Sequence, residues 1–159
     1  MRIGSYELRD QLYESRQSRI LRAVHDDGRA VVLKILSHEY PTPERLARFR
    51  REFAMTHGLA EIEGVIQVYE LEKYQNSLMI AMQDYGGESL AKRLADPDRG
   101  PLPLREFLEL AATVVGILER VHAKSIIHKD INPANILRHP ASGEVKLIDF
   151  GISSELSRE

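Results

Sequence analysis

The character of the hydrophobic pattern changes at Asp84-Tyr85-Gly86-Gly87. Before that point apolar side chains mostly alternate with polar ones or gather in short β-branched runs, with one helical stretch among them. After it they recur mostly at three- and four-residue steps. Period two is the mark of strands and period 3.6 that of helices, so strands and helices segregate along the sequence. The implied class is α+β: a small sheet with one helix, a glycine connector, then a mainly helical portion.

Within the first portion, Tyr6 to Tyr13 and Arg19 to His25 predict two strands, and Asp26-Asp27-Gly28 supplies a tight turn to a third, Ala30 to Leu36. A helix follows, with Thr42 as its cap, Pro43 at the first helical position and Glu44 at the positive dipole end. Leu46, Phe49 and Phe53, with Thr56 or His57, form its buried stripe, and Gly58 loosens or ends it. Two more strands are expected at Val65 to Leu71 and Leu78 to Gln83, joined through Tyr74-Gln75-Asn76.

Past the glycines, Ser89 to Leu94 predicts a short helix and Asp96 to Pro101 a loop. Pro103 to Ala123 predicts a long helix, with Leu104, Phe107, Leu108, Ala111, Val114, Val115, Leu118 and Val121 on one broad apolar face. Two short apolar runs, ANIL and VKLI, flank Pro140-Ala141-Ser142-Gly143 and predict a hairpin.

Composition removes several classes of function. The formal charge is −2, with 22 basic against 24 acidic residues, so no global field argues for nucleic acid or a membrane surface. There are no cysteines, which excludes disulfides, thiolate catalysis and cysteine-held metals and fits a reducing compartment. The first residues, MRIGSYELRDQLYES, have no apolar core of the signal-peptide kind. No run approaches the roughly 18 apolar residues of a membrane helix. The expectation is a soluble, cytoplasmic protein without membrane insertion.

The chemistry concentrates in HKDINPANILRHPASGEVKLIDFG, His128 to Gly151. If ANIL and VKLI pair, Asn135 before the first and Asp149 after the second lie at the same end. A carboxylate and an amide oxygen are hard ligands suited to Mg²⁺, which keeps water and phosphate oxygens as its other ligands. Asp130 would stand beside such a metal and accept a proton from an incoming hydroxyl. That is the layout of phosphoryl transfer from a nucleotide.

These residues resemble the motifs of the protein kinase family. His128-Lys129-Asp130-Ile131-Asn132-Pro133-Ala134-Asn135 is similar to the catalytic loop, and Asp149-Phe150-Gly151 to the magnesium-binding triplet. Val31-Val32-Leu33-Lys34 resembles the lysine strand, and Phe49-Arg50-Arg51-Glu52 the helix called αC in the family. Met82 to Gly87 falls at the gatekeeper and hinge. The wording is closest to the N-terminal kinase domains of bacterial hybrid serine/threonine kinase–ATPase–histidine kinase signalling proteins, on IIHKDINPANIL, KLIDFGIS and a phosphate loop without glycine.

The resemblance implies a protein-kinase-like fold: a five-stranded antiparallel N-lobe sheet with helix αC over residues 1–84, then the hinge and a partial, mainly helical C-lobe over 85–159. It implies an ATP- and Mg²⁺-dependent serine/threonine kinase. Its partners would be ATP and a protein substrate, or downstream signalling domains of the same polypeptide. Lys34 would hold the α- and β-phosphates and Glu52 would pair with it. Asp130 would take the acceptor's proton, and Asn135 and Asp149 would hold the metal. The backbone near Gln83 and Tyr85 would meet adenine, Met82 would line its pocket, and Val32 and Leu137 would pack on its faces.

Four departures stand out. The phosphate loop, Tyr13 to Ser18, has no glycine; Ser15 and Ser18 are small enough to let part of its backbone approach phosphate, and Tyr13 is not. Asn132 stands where serine/threonine kinases carry lysine, and an amide can hydrogen-bond the transferred phosphoryl group but brings no charge. Lys129 replaces arginine and loses its bidentate fork. After Gly151 come only ISSELSRE, without the family's activation segment, so the apolar face of the long helix is expected to be partly exposed.

Each residue also has a plain reading. Lys34 alone would be a solvated strand lysine, Glu52 a surface helix charge, and Asp130, Asn135 and Asp149 turn residues; their order and spacing favour the active site. His128 reads as a structural brace for the loop. His25, His38, His57, His122 and His139 lack ligand spacing, and Ser153 and Ser154 need no special role. A nucleotide-binding pseudokinase that signals by shape is the alternative, and a small-molecule phosphotransferase a third.

Overall fold

The computed structural model of the protein describes residues 1–36 and 40–155. His38 lies outside them. The described chain forms two compact units, Met1–His57 with Gln67–Asp84 and Gly58–Ile66 with Tyr85–Glu159. These units differ from a single cut after Asp84 in that Gly58–Ile66 groups with the second.

The first unit is a six-stranded antiparallel sheet with one helix: β1 (Arg2–Ile3), β2 (Tyr6–Glu14), β3 (Ser18–His25), β4 (Ala30–Leu36), α1 (Pro43–His57), β5 (Val68–Tyr74) and β6 (Ser77–Gln83). The strand order is β1-β2-β3-β4-β6-β5. Five strands were expected, and β1 is the addition. Gly4, at φ 52°, lets the chain reverse between Ile3 and Tyr6, which pair and bury together. Two residues are too few to show a period.

β4 is apolar on both faces because both are covered. Val31, Leu33 and Ile35 join Ile3, Tyr6 and Ala23 in one cluster, around which the sheet curls. Leu36 packs on the opposite side with Phe49 of α1 and Ile80 of β6. Each such aliphatic side chain contributes about 1.5–3 kcal/mol on full burial. Beyond Leu8, β2 carries exposed residues and two register irregularities against β3.

The second unit contains β7 (Glu88–Ser89), α2 (Leu90–Ala95), α3 (Leu104–Ala123), β8 (Ile126–Ile127), a 3₁₀ turn (Pro133–Asn135), β9 (Ile136–Arg138), β10 (Val145–Leu147) and β11 (Ser154–Glu155). Ser89 caps α2, its hydroxyl accepting from Lys92 N at 3.2 Å. The predicted hairpin forms between β9 and β10, with Gly143 at φ 75° in its turn, and β7 adds on the other side of β9.

α3 buries a narrower stripe than its sequence suggests: Leu110, Val114, Ile117 and Val121. At about 100° per residue this stripe is turned roughly a quarter circle from the face of Leu104, Phe107, Leu108 and Val115. Those four are 72%, 51%, 55% and 65% exposed. Of the expected face only Val114 and Val121 are buried, and its partial exposure is as anticipated.

Gly58–Ile66 explains the late start of β5, at Val68 rather than Val65. Ile66 N donates to Leu147 O at 3.1 Å and Leu147 N to Gly64 O at 2.8 Å, so Val65 and Ile66 are spent on β10. Lys146 Nζ adds a bond to Glu63 O at 2.9 Å. Gly64 lies so close to Ile117 that a Cβ would overlap its side chain.

Candidate active site

In the first unit the lysine is aimed by strand alternation. Val32, Lys34 and Leu36 share the face of β4 that packs on α1. Glu52 lies one turn beyond Phe49 on the buried side of α1. Lys34 Nζ and Glu52 Oε1 meet at 2.5 Å, with side chains 14% and 11% exposed. So little water screens this pair that each charge depends on the other.

Val32 and Met82 are directly opposed across β4 and β6, and Lys34 opposes Ile80 one step along. Two of the residues expected around adenine, Val32 and Met82, are thus cross-strand neighbours on the lysine's own face. Gln83 N donates to Gln67 O at 2.9 Å, so only its carbonyl suits a base. Arg22 grips Asp84 through Nε at 2.6 Å and Nη2 at 3.4 Å, fixing the end of β6. Sequence reasoning missed this bond, since nothing local links positions 22 and 84.

The glycine-free loop closes on itself. Ser15 Oγ accepts from the backbone N–H of Gln17 and of Ser18, both at 3.1 Å. Ser15 N donates to Ser18 O at 2.9 Å. The amides that a glycine loop holds out to phosphate are occupied by a serine hydroxyl. Ser18 takes part through its backbone.

In the second unit His128 is 1% exposed and braces the loop from both ring nitrogens. Nδ1 accepts from Asp130 N at 3.2 Å, so in the neutral ring Nε2 carries the hydrogen and donates to Ile148 O at 3.0 Å. Its ring packs on fully buried Phe150, centroids 4.5 Å apart. Burial lowers the pKa of His128, which outweighs the opposing pull of Ile148 O, Asp149 and Asp130.

Asp130 is held by two amides. Asn132 Nδ2 donates to Oδ1 and Asn135 Nδ2 to Oδ2, each at 3.0 Å. Both amides also reach Asp130 O, at 3.3 and 3.0 Å. Asn132 Oδ1 accepts from Ala134 N at 2.8 Å and caps the 3₁₀ turn. Asn132 was expected to offer its amide to a phosphoryl group; both ends of that amide are engaged inside the loop instead.

Asn135 and Asp149 do fall at one end of the hairpin. Leu147 opposes Ile136, and Ile148 N donates to Asn135 O at 3.0 Å. With Asn135 Nδ2 committed to Asp130, its Oδ1 is the amide atom left that could meet a metal, and the Asp149 carboxylate could offer a second hard oxygen. This set fits Mg²⁺. Asp149 has φ 62° and Lys129 φ 67°, left-handed conformations uncommon for such residues and typical of functional sites. Asp149 Oδ1 accepts from Gly151 N at 3.1 Å.

Leu137 is half-buried on β9, between Ser89 and Lys146. Tyr85 packs edge-on against His139, with Lys146 Nζ 5.3 Å from its ring centre. Burial, helped by Glu144, pushes the Tyr85 hydroxyl up to about 12. That hydroxyl is buried and has no hydrogen-bond partner among the described residues.

The first unit thus holds a strand lysine paired with a helix glutamate, and the second a braced aspartate loop ahead of a hairpin. The family model described as protein kinase domain matches residues 6–159, and the chain belongs to that family. It is similar to the serine/threonine-protein kinase PknA of Mycobacterium tuberculosis strain H37Rv, 31% identical over 157 residues, which are 94% of this chain and 36% of that protein. It is 32% identical over 130 residues to the serine/threonine-protein kinase PrkC of Bacillus subtilis strain 168, covering 81% of this chain and 19% of the relative. PknI of Mycobacterium tuberculosis strain H37Rv, a serine/threonine-protein kinase, is 30% identical over 129 residues, 79% and 22% of the two chains. The matched segments thus span between 19% and 36% of these relatives' own length. Among the described residues no helix is long and apolar enough to cross a membrane.

Proposed function

We propose that the chain carries the nucleotide-binding and phosphoryl-transfer groups of a serine/threonine protein kinase, moving the γ-phosphoryl group of ATP to a protein hydroxyl. The observation that carries this reading is the formed Lys34–Glu52 pair at 2.5 Å. A surface lysine has no need of a buried glutamate, whereas a phosphate-binding lysine must be held in one direction.

On this reading Lys34 neutralises and orients the α- and β-phosphates. Val32, Met82 and Leu137 pack on adenine, which hydrogen-bonds the Gln83 carbonyl and the Tyr85 backbone. Asp130 takes the proton of the acceptor hydroxyl as its oxygen attacks the γ-phosphorus and the bond to the β-phosphate oxygen breaks, releasing ADP. Asn132 and Asn135 hold Asp130 in the attacking direction. Asn135 and Asp149 would hold Mg²⁺, which when bound would supply charge neutralisation on the phosphates. The acceptor is a protein, or a downstream signalling domain of the same polypeptide. The cysteine-free sequence supports a reducing, cytoplasmic setting.

The test is calorimetric titration with ATP and Mg²⁺. Lys34→Ala and Asp149→Ala should each weaken binding, and Asp130→Asn should retain it while abolishing phosphate incorporation into a protein acceptor. Unchanged affinity in both of the first two variants would refute the assignment.

A further inference from the structure

The second unit has a cavity of about 170 Å³ that none of these roles uses. Arg93 of α2, Arg99 of the following loop and Arg138 of β9 line it, with Glu88, Glu106 and His139. Two of the guanidinium groups have acidic partners, Arg99 with Glu88 and Arg138 with Glu106. Arg93 instead donates to two backbone carbonyls, Gly100 O at 2.9 Å and Arg99 O at 3.2 Å. Its charge meets no carboxylate among the described residues.

Two of the arginines have a local structural reason: Arg93 staples the loop, and Arg138 ties β9 to α3. Neither reason requires three guanidinium groups to converge on one opening, where like charges repel. An anion entering the cleft would meet a net positive wall. Guanidinium forks grip carboxylates bidentately. The volume lies well below the roughly 300 Å³ at which pockets for drug-sized ligands begin, so a nucleotide is too large and a single acidic side chain fits. Two exposed apolar residues are near the lining residues in sequence: Leu94, one turn after Leu90, and Phe107, which follows Glu106.

We propose that this cleft is a docking site for an acidic peptide segment, one carboxylate of which enters between Arg93 and Arg99 while an apolar neighbour covers Leu94 or Phe107. Binding itself is independent of phosphoryl transfer. Its use in recruiting kinase substrates rests on the reading above.

The experiment is a fluorescence-anisotropy titration of the whole chain, without nucleotide and at low salt. The probe is a labelled peptide of glutamates around one leucine; the control replaces every glutamate with glutamine. The glutamate peptide should bind and the glutamine peptide should not. Arg99→Gln with Arg138→Gln should weaken binding about tenfold or more. Glu88→Gln, which removes a competing carboxylate, should tighten it several-fold, a gain no folding defect produces. Equal binding of the two peptides, or arginine variants without effect, would overturn the proposal. Inorganic phosphate displacing the peptide at equal concentration would also overturn it, leaving a simple anion site. ATP affinity, measured alongside, should not change in these cleft variants. Peptide binding that persists where ATP binding fails would sink the phosphoryl-transfer reading alone.

Discussion

Lys34 and Glu52 stand eighteen residues apart and meet only because a strand face packs on a helix face. Asp130, Asn132 and Asn135 lie within one turn of chain and find one another locally. The first contact is a nearly buried pair of full charges; the second is one carboxylate held by neutral amides, half open to solvent. A buried ion pair fails abruptly, because removing one partner strands the other charge in a poorly solvated place. A local hydrogen-bonded turn degrades step by step, since water can replace each lost amide.

The sharpest way to break this contrast is at the pair. Lys34→Ala or Glu52→Ala should each lower unfolding free energy by about 3 kcal/mol, measured by urea denaturation, and the double variant should lose less than the sum. Additive losses would mean that the two charges do not depend on each other. Asn135→Ala removes a bond to a charged oxygen and should cost about 2 kcal/mol, and Asn132→Ala, less buried, about 1 kcal/mol. Equal losses from the two amides would mean that burial of the donor makes no difference to its bond.

A smaller change is expected at the serine loop. Ser15→Gly releases the amides of Gln17 and Ser18, and ATP affinity should rise a few-fold, the equivalent of about 1 kcal/mol. Unchanged or weaker binding would show that the closed loop is not what limits phosphate contact.

The mildest expected effect is a pH dependence. His128 has a lowered pKa in the fold, so between that value and about pH 6.5 the unfolded chain binds more protons than the native one. Stability is therefore full above about pH 6.5 and falls as the solution is acidified. His128→Gln should flatten that slope in thermal melts at successive pH values, and an unaltered slope would assign it to other groups.

Much of the fold was legible because local periods are strong. β4 begins and ends where its β-branched run does, and α1 starts at Pro43 behind Thr42, whose carbonyl accepts from Leu46 N. The β9–β10 hairpin follows from two short apolar runs around a proline- and glycine-containing turn. β1 was not legible, being only two residues long. The stripe that α3 buries was not legible either, since the helix is apolar around more than half its circumference and the period cannot choose between faces. The engagement of Asn132 was hidden for another reason: an asparagine can serve a ligand or its own loop, and only the positions of Asp130 and Ala134 decide between them.

The order of strands and helices, the spacing of Lys34, Glu52, Asp130, Asn135 and Asp149, and the family they define are properties of the chain itself, because propensity and motif act over a few neighbouring residues. Tertiary structure alone decided that Gly58–Ile66 joins β10, that Arg22 holds Asp84, that Ser15 fills its own loop, and that three arginines share one cleft. Each of these depends on which distant backbone or side chain arrives, and no local period carries that information.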